Sequence, residues 1–276
     1  MSGSVQHGKT PEDPPAGPVV LAAIDAVRSA ALTPAVAPRI LGLKALGAYT
    51  LNARSVMPSV TLPCFLSIFH SIPPDRHGTP YNTWIPMARP VLGLMEVARA
   101  AGLRCGFVYN WEALRNLSTP LQLHFSYFLN NLKDGPWADR VMVDVALEYL
   151  TRDHPDFVFV YLGTLDLYGH DHGFRSDEYL AQLGRLDSIV GVLLDGLPAG
   201  TRLMLTSDHG GHARTHGTDS PDDMTIPLFL SGPGLRPGHE IQTPVSLLDL
   251  APTLARLLGL TPPPEWEGTC VTEAFA

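Results

Sequence analysis

The chain has 276 residues, of which 45% are hydrophobic and 17% charged, and its formal net charge is −8 at pH 7. This length suffices for one large hydrophobic core, and we expect a single domain over residues 18–276. The negative charge, without any cluster of lysine and arginine, argues against a partner that is a nucleic-acid polymer. The sequence also has 11 histidines, several of them close to aspartates in its second half, which indicates metal binding.

The cysteines and the amino terminus bear on the compartment. Cys64, Cys105 and Cys270 show no CxxC spacing, so we expect no disulfide framework and a reducing environment. Residues 1–17 are polar and rich in proline and glycine, which predicts a disordered tail rather than a signal peptide. No later segment has the length of a membrane span, so we expect a cytoplasmic protein without a membrane partner.

In the first part of the chain, short apolar runs alternate with helical patterns. Val19–Ile24 is a continuous apolar run, and its short length favours a strand buried on both faces over a buried helix. Helical spacing follows at Ile40–Leu46, and the chain around Asn52–Val56 is expected to be extended. A helix is predicted to begin at Thr61, with Pro63 in its first turn.

The middle of the chain continues the alternation and then loses it. A helix is predicted over Pro90–Ala101, ended by Gly102, and a strand over Arg104–Tyr109. Between Trp111 and Pro136 the periodicity is poor. This pattern predicts a loop-rich insertion near the mouth of a site.

The last part of the chain repeats the order of strand and helix. Ser176 is expected to cap a long amphipathic helix. The alternation predicts an α/β fold with a mostly parallel central sheet and helices on both faces. The other predicted elements are helices at Trp137–Leu150 and Leu247–Leu258, the latter bent or begun near Pro252, and strands at Phe157–Leu162, Arg202–Leu205 and Ile226–Leu230.

Three of the predicted strands lead into residues that can bind a metal ion. These residues are Asp25, Asp166 with His170, and Asp208 with His209. Because ligands of open α/β sheets bind at the carboxyl ends of the strands, we expect these side chains to converge. Each of these segments alone is weak evidence for a metal site, since an aspartate after a strand is often a helix cap or a turn former.

The most specific signal is the short glycine-rich segment 206–217. It contains Asp208, His209, His212 and His216, a set of oxygen and nitrogen donors that suits zinc. The alternative is that these histidines are exposed and inert. His212 is either a ligand or a residue that supports one.

Thr61 has two interpretations. At the start of a helix, free backbone N–H groups and the helix dipole favour an anion, as a phosphoryl-transfer site requires. Threonine is also a good N-cap residue, and position alone favours the cap.

Several aromatic and polar residues at strand ends also have two interpretations. They either form a wall that binds a base, an aryl group or a lipid headgroup, or they pack in the core and at its rim. These residues are Trp84, Tyr109, Asn110, Trp111 and Tyr168.

Several stretches of the chain, taken in order, resemble the alkaline phosphatase superfamily, and most closely its type I phosphodiesterase and nucleotide pyrophosphatase branch. The resemblance covers nearly the whole chain beyond the tail and implies an alkaline-phosphatase-like three-layer sandwich. The stretches are residues 24–28, 57–63, 74–78, 166–170 and 207–210, then His216, and finally residues 248–254.

The resemblance implies a hydrolase of small-molecule phosphate esters with two divalent metal ions. Zinc fits the donors best, with manganese or iron as alternatives. By the resemblance, Thr61 is the nucleophile and forms a phosphothreonine intermediate. One metal ion would be held by Asp25, Thr61, Asp208 and His209, and the other by Asp166, His170 and His216.

Two positions depart from the family pattern. Cys64 stands where the diesterases usually carry Asn, so a donor to the phosphoryl group is either lost or supplied elsewhere, and Ala26 replaces the usual Gly. The alternatives are a phosphomonoesterase, a phosphonate hydrolase, or a metal-bound protein with weakened catalysis. The Cys-x-Pro-x-Arg pattern of sulfatases is absent, which disfavours a sulfatase. The oligomeric state does not follow from the sequence.

Overall fold

A mixed sheet forms the centre of the computed structural model, which describes residues 17–119, 121–130 and 132–276. The predicted disordered tail lies outside these ranges, apart from Gly17. The strands are β1 (Val19–Ile24), β2 (Gly47–Arg54), β3 (Cys105–Tyr109), β4 (Phe125–Phe128), β5 (Phe157–Leu162), β6 (Arg202–Thr206), β7 (Thr225–Ser231) and β8 (His239–Glu240).

The order of the strands across the sheet is β4-β3-β5-β1-β6-β7-β2-β8. Only β7 runs antiparallel to its neighbours, β6 and β2, and the other pairs in the described sheet are parallel. The prediction of a mostly parallel sheet is therefore confirmed.

Helices cover both faces of this sheet. The described α-helices are α1 (Pro38–Leu46), α2 (Thr61–His70), α3 (Pro74–His77), α4 (Leu94–Ala100), α5 (Ala138–Asp153), α6 (Thr164–His172), α7 (Asp177–Gly196), α8 (Pro221–Met224) and α9 (Leu250–Leu258). The cap predicted for α7 is present, because Oγ of Ser176 accepts a hydrogen bond of 3.1 Å from the N–H of Tyr179.

Two hydrophobic cores lie on opposite faces of the sheet. In β1, Val19 and Leu21 belong to the core that includes α2, α4 and α9, whereas Val20 and Ala22 belong to the core that includes α5 and α7. This alternation follows from the period of two along a strand. The predicted three-layer sandwich is thus confirmed.

Two strands differ from the sequence prediction. The extended segment expected around Asn52–Val56 overlaps the end of β2, which begins earlier, at Gly47, and ends at Arg54. A Cβ at Gly47 would lie 1.9 Å from the carbonyl oxygen of Leu230, so only glycine lets β2 pair with β7 there. The expected loop-rich insertion also contains β4, a short edge strand with alternating exposure.

The helix predicted over Pro90–Ala101 begins later, at Leu94. The carboxylate of Glu96 accepts a hydrogen bond of 3.0 Å from the N–H of Gly93 and so caps the helix start. The closing helix likewise begins with a separate 3₁₀ turn, Leu247–Asp249.

The centre of the sheet places three candidate segments at one edge. Strand β1 lies between β5 and β6, and all three run in the same direction. Their carboxyl ends lead into Asp25, the first turn of α6, and Ser207. In residues 17–119, 121–130 and 132–276, no helix has both the length and the hydropathy needed to cross a bilayer.

Candidate metal centre

The first cluster at this edge, called the inner group here, consists of Asp25, Asp208 and His209. Nε2 of His209 lies 3.4 Å from Oδ1 of Asp25 and 3.4 Å from Oδ2 of Asp208. All three residues are buried. The structure therefore brings together residues that are more than 180 positions apart in the chain.

Main-chain contacts hold the inner group in place. The N–H of Ala26 donates to Oδ1 of Asp208 over 3.2 Å, and the hydroxyl of Ser55 donates to the carbonyl of Asp208 over 2.5 Å. Ala26 has φ of 60°, in the left-handed region that favours glycine. This φ gives a physical reason for the family's usual Gly at this position, and the chain accommodates Ala26 there.

The second cluster, called the outer group, consists of Asp166, His170 and His216. Asp166 and His170 lie one turn apart on α6, with His170 Nε2 at 3.4 Å from Asp166 Oδ2. His216 Nε2 lies 3.6 Å from Asp166 Oδ1 and 3.1 Å from His170 Nε2. The outer group is more exposed than the inner one, with 41% of the His170 side chain accessible.

The two groups adjoin through His209. Its ring stacks on the ring of His216 with centroids 3.9 Å apart. His209 also lies close enough to Asp166 and His216 for the three to hold a common ion. All seven predicted site residues, including Thr61, therefore meet at one place.

Backbone carbonyls fix the tautomer of each histidine. The Nδ1 atoms of His209, His170 and His216 donate to the carbonyls of Gly210 (2.8 Å), Arg214 (2.9 Å) and Ser59 (2.9 Å). Because a carbonyl can only accept, each neutral ring has its lone pair on Nε2. These lone pairs face one another and the nearby carboxylates. This is an arrangement that suits metal ligands.

The carboxylates show the same preference for a cation. Within the described residues, Asp25 Oδ1, Asp166 Oδ1 and Asp208 Oδ2 are buried and accept no hydrogen bond. Burial, followed by the nearby charge of Asp208, raises the pKa of Asp25 well above its usual range, and burial raises the pKa of Asp208 to about 6. Burying these oxygens as anions is costly, and a bound divalent cation would offset that cost.

Burial also favours the neutral form of His209 and His216, which a metal ligand requires. It lowers the pKa of His209, and it lowers the pKa of His216 to about 4, where the neighbouring His209 adds to the effect. The residues present therefore fit a metal centre with oxygen and nitrogen donors.

Thr61 is the first residue of α2 and is buried beside the inner group. Its Oγ1 lies 3.2 Å from Nε2 of His209. The N-cap residue of α2 is Val60, so Thr61 does not occupy the capping position that its place in the sequence favoured. The hydroxyl instead faces His209 of the inner group.

A cavity of about 190 Å³ opens onto Thr61 and the two groups. Sequence reasoning missed two polar residues that line it. Tyr161, read only as a strand residue, donates its hydroxyl to Asp25 Oδ2. Asn82 accepts a hydrogen bond of 3.0 Å at Oδ1 from the N–H of Leu62, and a single Asn in an aperiodic loop gives no sequence signal.

Cys64 does not line this cavity. It is fully buried on α2, with Sγ 3.3 Å from the hydroxyl of Ser55, and burial raises the pKa of its thiol. The thiol therefore contacts the main-chain support of Asp208, through Ser55, rather than the cavity itself.

The other undecided residues also have defined positions. His212 pairs with Asp223 at 2.7 Å and is absent from both ligand clusters, which favours the supporting role. Trp111 lines the cavity, whereas Asn110 is buried against Asp139. Tyr109 is buried in the core, Tyr168 packs near His172, and Trp84 is exposed.

Known proteins resemble this chain in sequence and in fold. A family model described as type I phosphodiesterase / nucleotide pyrophosphatase matches residues 94–223. The mouse ectonucleotide pyrophosphatase/phosphodiesterase family member 1 is 28% identical over 231 residues, which cover 75% of this chain and 25% of that protein. The phosphopentomutase of Symbiobacterium thermophilum is 32% identical over 114 residues, covering 41% of this chain and 28% of that protein.

The chain spans about a fifth to a quarter of the length of the first curated relatives. Among solved structures, murine ectonucleotide pyrophosphatase/phosphodiesterase 5, an inactive variant in complex with AMP, has a TM-score of 0.77 at 14% identity, over 94% of this chain and 100% of that one. A 2-O GAG sulfatase has a TM-score of 0.74 at 14% identity, over 92% of this chain and 73% of that one. The chain is therefore similar in sequence to the type I phosphodiesterase and nucleotide pyrophosphatase branch of the alkaline phosphatase superfamily, and it shares the fold of these structures.

Proposed function

We propose that this protein is a two-metal hydrolase of phosphodiesters in which Thr61 is the nucleophile. One observation carries the proposal. Three buried carboxylate oxygens without hydrogen-bond partners in the described chain, on Asp25, Asp166 and Asp208, lie beside the Nε2 atoms of His209 and His216, which carry lone pairs. They lie next to the hydroxyl of Thr61.

The two groups divide the proposed metal ligands. The inner group with Thr61 would hold one divalent ion, and the outer group the other, with zinc as the ion that best suits these donors. When bound, such ions neutralise phosphoryl oxygens and lower the pKa of a coordinated hydroxyl.

Thr61 would act by in-line attack. Its Oγ1 forms a bond to phosphorus while the bond from phosphorus to the leaving alcohol breaks, and the alcohol departs with a proton. Water then adds to the phosphothreonine, which releases a phosphate monoester and restores the hydroxyl. The start of α2 supports this role, because the positive end of the helix dipole there favours the charge of the bound phosphoryl group.

Asn82 would supply the donor that is lost where Cys64 replaces the usual Asn. Since its Oδ1 already accepts from Leu62, the Nδ2 amino group is available to donate to a phosphoryl oxygen in the cavity. Trp111, Leu132 and Leu167 add apolar surface to the same cavity. This combination suits a small ester with an apolar or aromatic leaving group rather than a polymer.

The experiment compares turnover of four substrates by the zinc-loaded protein: bis-p-nitrophenyl phosphate, p-nitrophenyl phosphate, p-nitrophenyl phenylphosphonate and p-nitrophenyl sulfate. We expect the diester to be the best substrate. A higher kcat/KM for the monoester or the phosphonate would favour those alternatives instead. Lack of turnover of all four, with both ions bound, would favour a metal-bound protein with weakened catalysis.

The nucleophile is tested by Thr61→Ala. We expect kcat for the diester to fall by at least about 10³-fold, because the covalent route is lost, while zinc content stays unchanged. Thr61→Ser, which keeps a hydroxyl, is the matched control and should retain part of the activity. Full activity of Thr61→Ala would remove Thr61 from the mechanism.

A further inference from the structure

We propose that Asp223 is a positioning residue whose buried carboxylate fixes the loop that carries His216 and, through Thr218, the turn that leads to Thr61. This inference rests on the proposed function, because it concerns the loop that holds His216, one of the proposed metal ligands of the outer group. Asp223 lies in α8, outside both groups, and is fully buried.

The carboxylate of Asp223 binds the loop on both sides of His216. Its Oδ1 accepts a hydrogen bond of 2.7 Å from Nδ1 of His212. Its Oδ2 accepts from the backbone N–H of Thr218 over 2.9 Å and from the Thr218 hydroxyl over 2.7 Å. The span between His212 and Thr218, with His216 inside it, is therefore closed by one charged group.

Main-chain contacts of α8 hold the preceding part of the same loop. The N–H of Gly210 donates to the carbonyl of Asp223 over 2.8 Å, and the N–H of Gly211 donates to the carbonyl of Asp222 over 2.9 Å. A Cβ at Gly210 would lie 2.1 Å from that carbonyl oxygen of Asp222, so glycine is needed for this approach. The loop is thus anchored on α8 from the residue after His209 onward.

Thr218 extends this anchoring to the nucleophile turn. Its carbonyl accepts a hydrogen bond of 2.8 Å from the hydroxyl of Ser59, and the carbonyl of Ser59 accepts from Nδ1 of His216 over 2.9 Å. Ser59 stands two residues before Thr61. One chain of contacts thereby connects the ligand loop, residues 212–218, with the nucleophile Thr61. It runs through Asp223, Thr218, Ser59 and His216.

Asp223→Asn tests this role. The amide has one acceptor oxygen in place of two, so His212 or Thr218 loses its partner, and the ring of His216 loses part of its support. We expect the affinity for one of two zinc ions to fall about 10- to 100-fold, as for other residues that orient a ligand. A titration with a competing chelator should then resolve one tight and one weak site, where the parent protein shows two tight sites.

A spectroscopic measurement separates positioning from simple stability. The visible absorption of the Co²⁺-loaded protein reports the ligand geometry, and we expect the bands of one site to shift in Asp223→Asn. We also expect kcat for the diester to fall more than KM rises, since both Thr61 and His216 are displaced.

The matched control is Asp222→Asn. Asp222 is the adjacent carboxylate on α8, and its two oxygens pair with Arg28 and Arg175 at 2.5 Å, away from His212 and Thr218. We expect this variant to bind two zinc ions with unchanged affinity and to show an unchanged Co²⁺ spectrum.

Thr218→Val is the second variant and serves if Asp223→Asn fails to fold. It removes the hydroxyl that donates to Asp223 Oδ2 and accepts from the N–H of Ser220, and we expect a weakened zinc site, as in Asp223→Asn. Two unchanged zinc affinities and an unchanged Co²⁺ spectrum in a folded variant would overturn the positioning role. Failure of the parent protein itself to bind zinc would instead contradict the proposed function, so the two failures are distinguishable.

Discussion

The inner and outer groups of the metal centre contain the same kinds of side chain in different surroundings. Asp25, Asp208 and His209 follow central strands and are buried, whereas His170 stands on a helix with much of its side chain exposed. Burial of charged groups without a counterion is costly, and solvent reduces that cost. The inner group therefore carries most of the electrostatic penalty that a cation would relieve.

The largest expected effect concerns the metal-free protein. Burial raises the pKa of Asp208 to about 6, so the folded state binds its proton more tightly than the unfolded chain, whose pKa is near 4. Stability is thus lost as the pH rises from about 4 through about 6. The amide introduced by Asp208→Asn cannot ionise. We therefore expect this variant to raise the free energy of unfolding of the metal-free protein by up to about 3 kcal/mol at pH 7, with little effect at pH 4.

Urea unfolding of the metal-free proteins at pH 4, 5, 6 and 7 measures this difference. Asp166→Asn in the outer group is the matched variant, and we expect a smaller change because its side chain is partly exposed. Equal stabilities of Asp208→Asn and the parent protein at pH 7 would show that the inner group carries no such penalty.

A smaller effect is expected at the mouth of the cavity. Asn82→Ala removes the proposed donor to the phosphoryl group, and we expect kcat/KM for the diester to fall about 10²-fold, roughly 2.7 kcal/mol, with zinc affinity unchanged. Cys64→Ala, which alters a side chain outside the cavity, is the control and should stay within about threefold of the parent. The reverse ranking would return the donor role to position 64.

The smallest effect is expected beneath the inner group. Tyr161→Phe removes the hydroxyl that donates to Asp25 Oδ2, and we expect zinc affinity to fall about tenfold because the ligand is less well oriented. Chelator competition measures the change. Tyr149→Phe is the control, since the Tyr149 hydroxyl is buried without a hydrogen-bond partner among the described residues. Equal loss in both variants would point to general destabilisation.

Strands buried on both faces were the most predictable part of the fold. The bounds of β1 and β5 match the sequence prediction, because such strands appear as uninterrupted apolar runs. The start of β2 and the edge strand β4 were missed, since mixed polar and apolar residues at a sheet margin follow neither period clearly.

The candidate ligands were predictable for a different reason. Aspartate and histidine after several strands form a pattern visible in the sequence, and the geometry brings those residues together. Tyr161 and Asn82 were not predictable, because each acts through one contact with a residue distant in the chain. Asp223 was not predictable either, because its contacts with His212 and Thr218 depend on how the loop between them folds. Such contacts leave no spacing rule that a single sequence could reveal.

The three imidazoles take their orientation from peptide oxygens, those of Gly210, Arg214 and Ser59. A peptide oxygen is common to every amino acid, so exchange of the Arg214 side chain leaves the partner of His170 in place. Selection for new substrates could therefore vary position 214 and the cavity rim independently of cation binding. The candidate metal centre therefore tolerates mutation at its margin, because peptide groups orient the rings. Rings oriented by neighbouring side chains would lose their partners when those side chains changed.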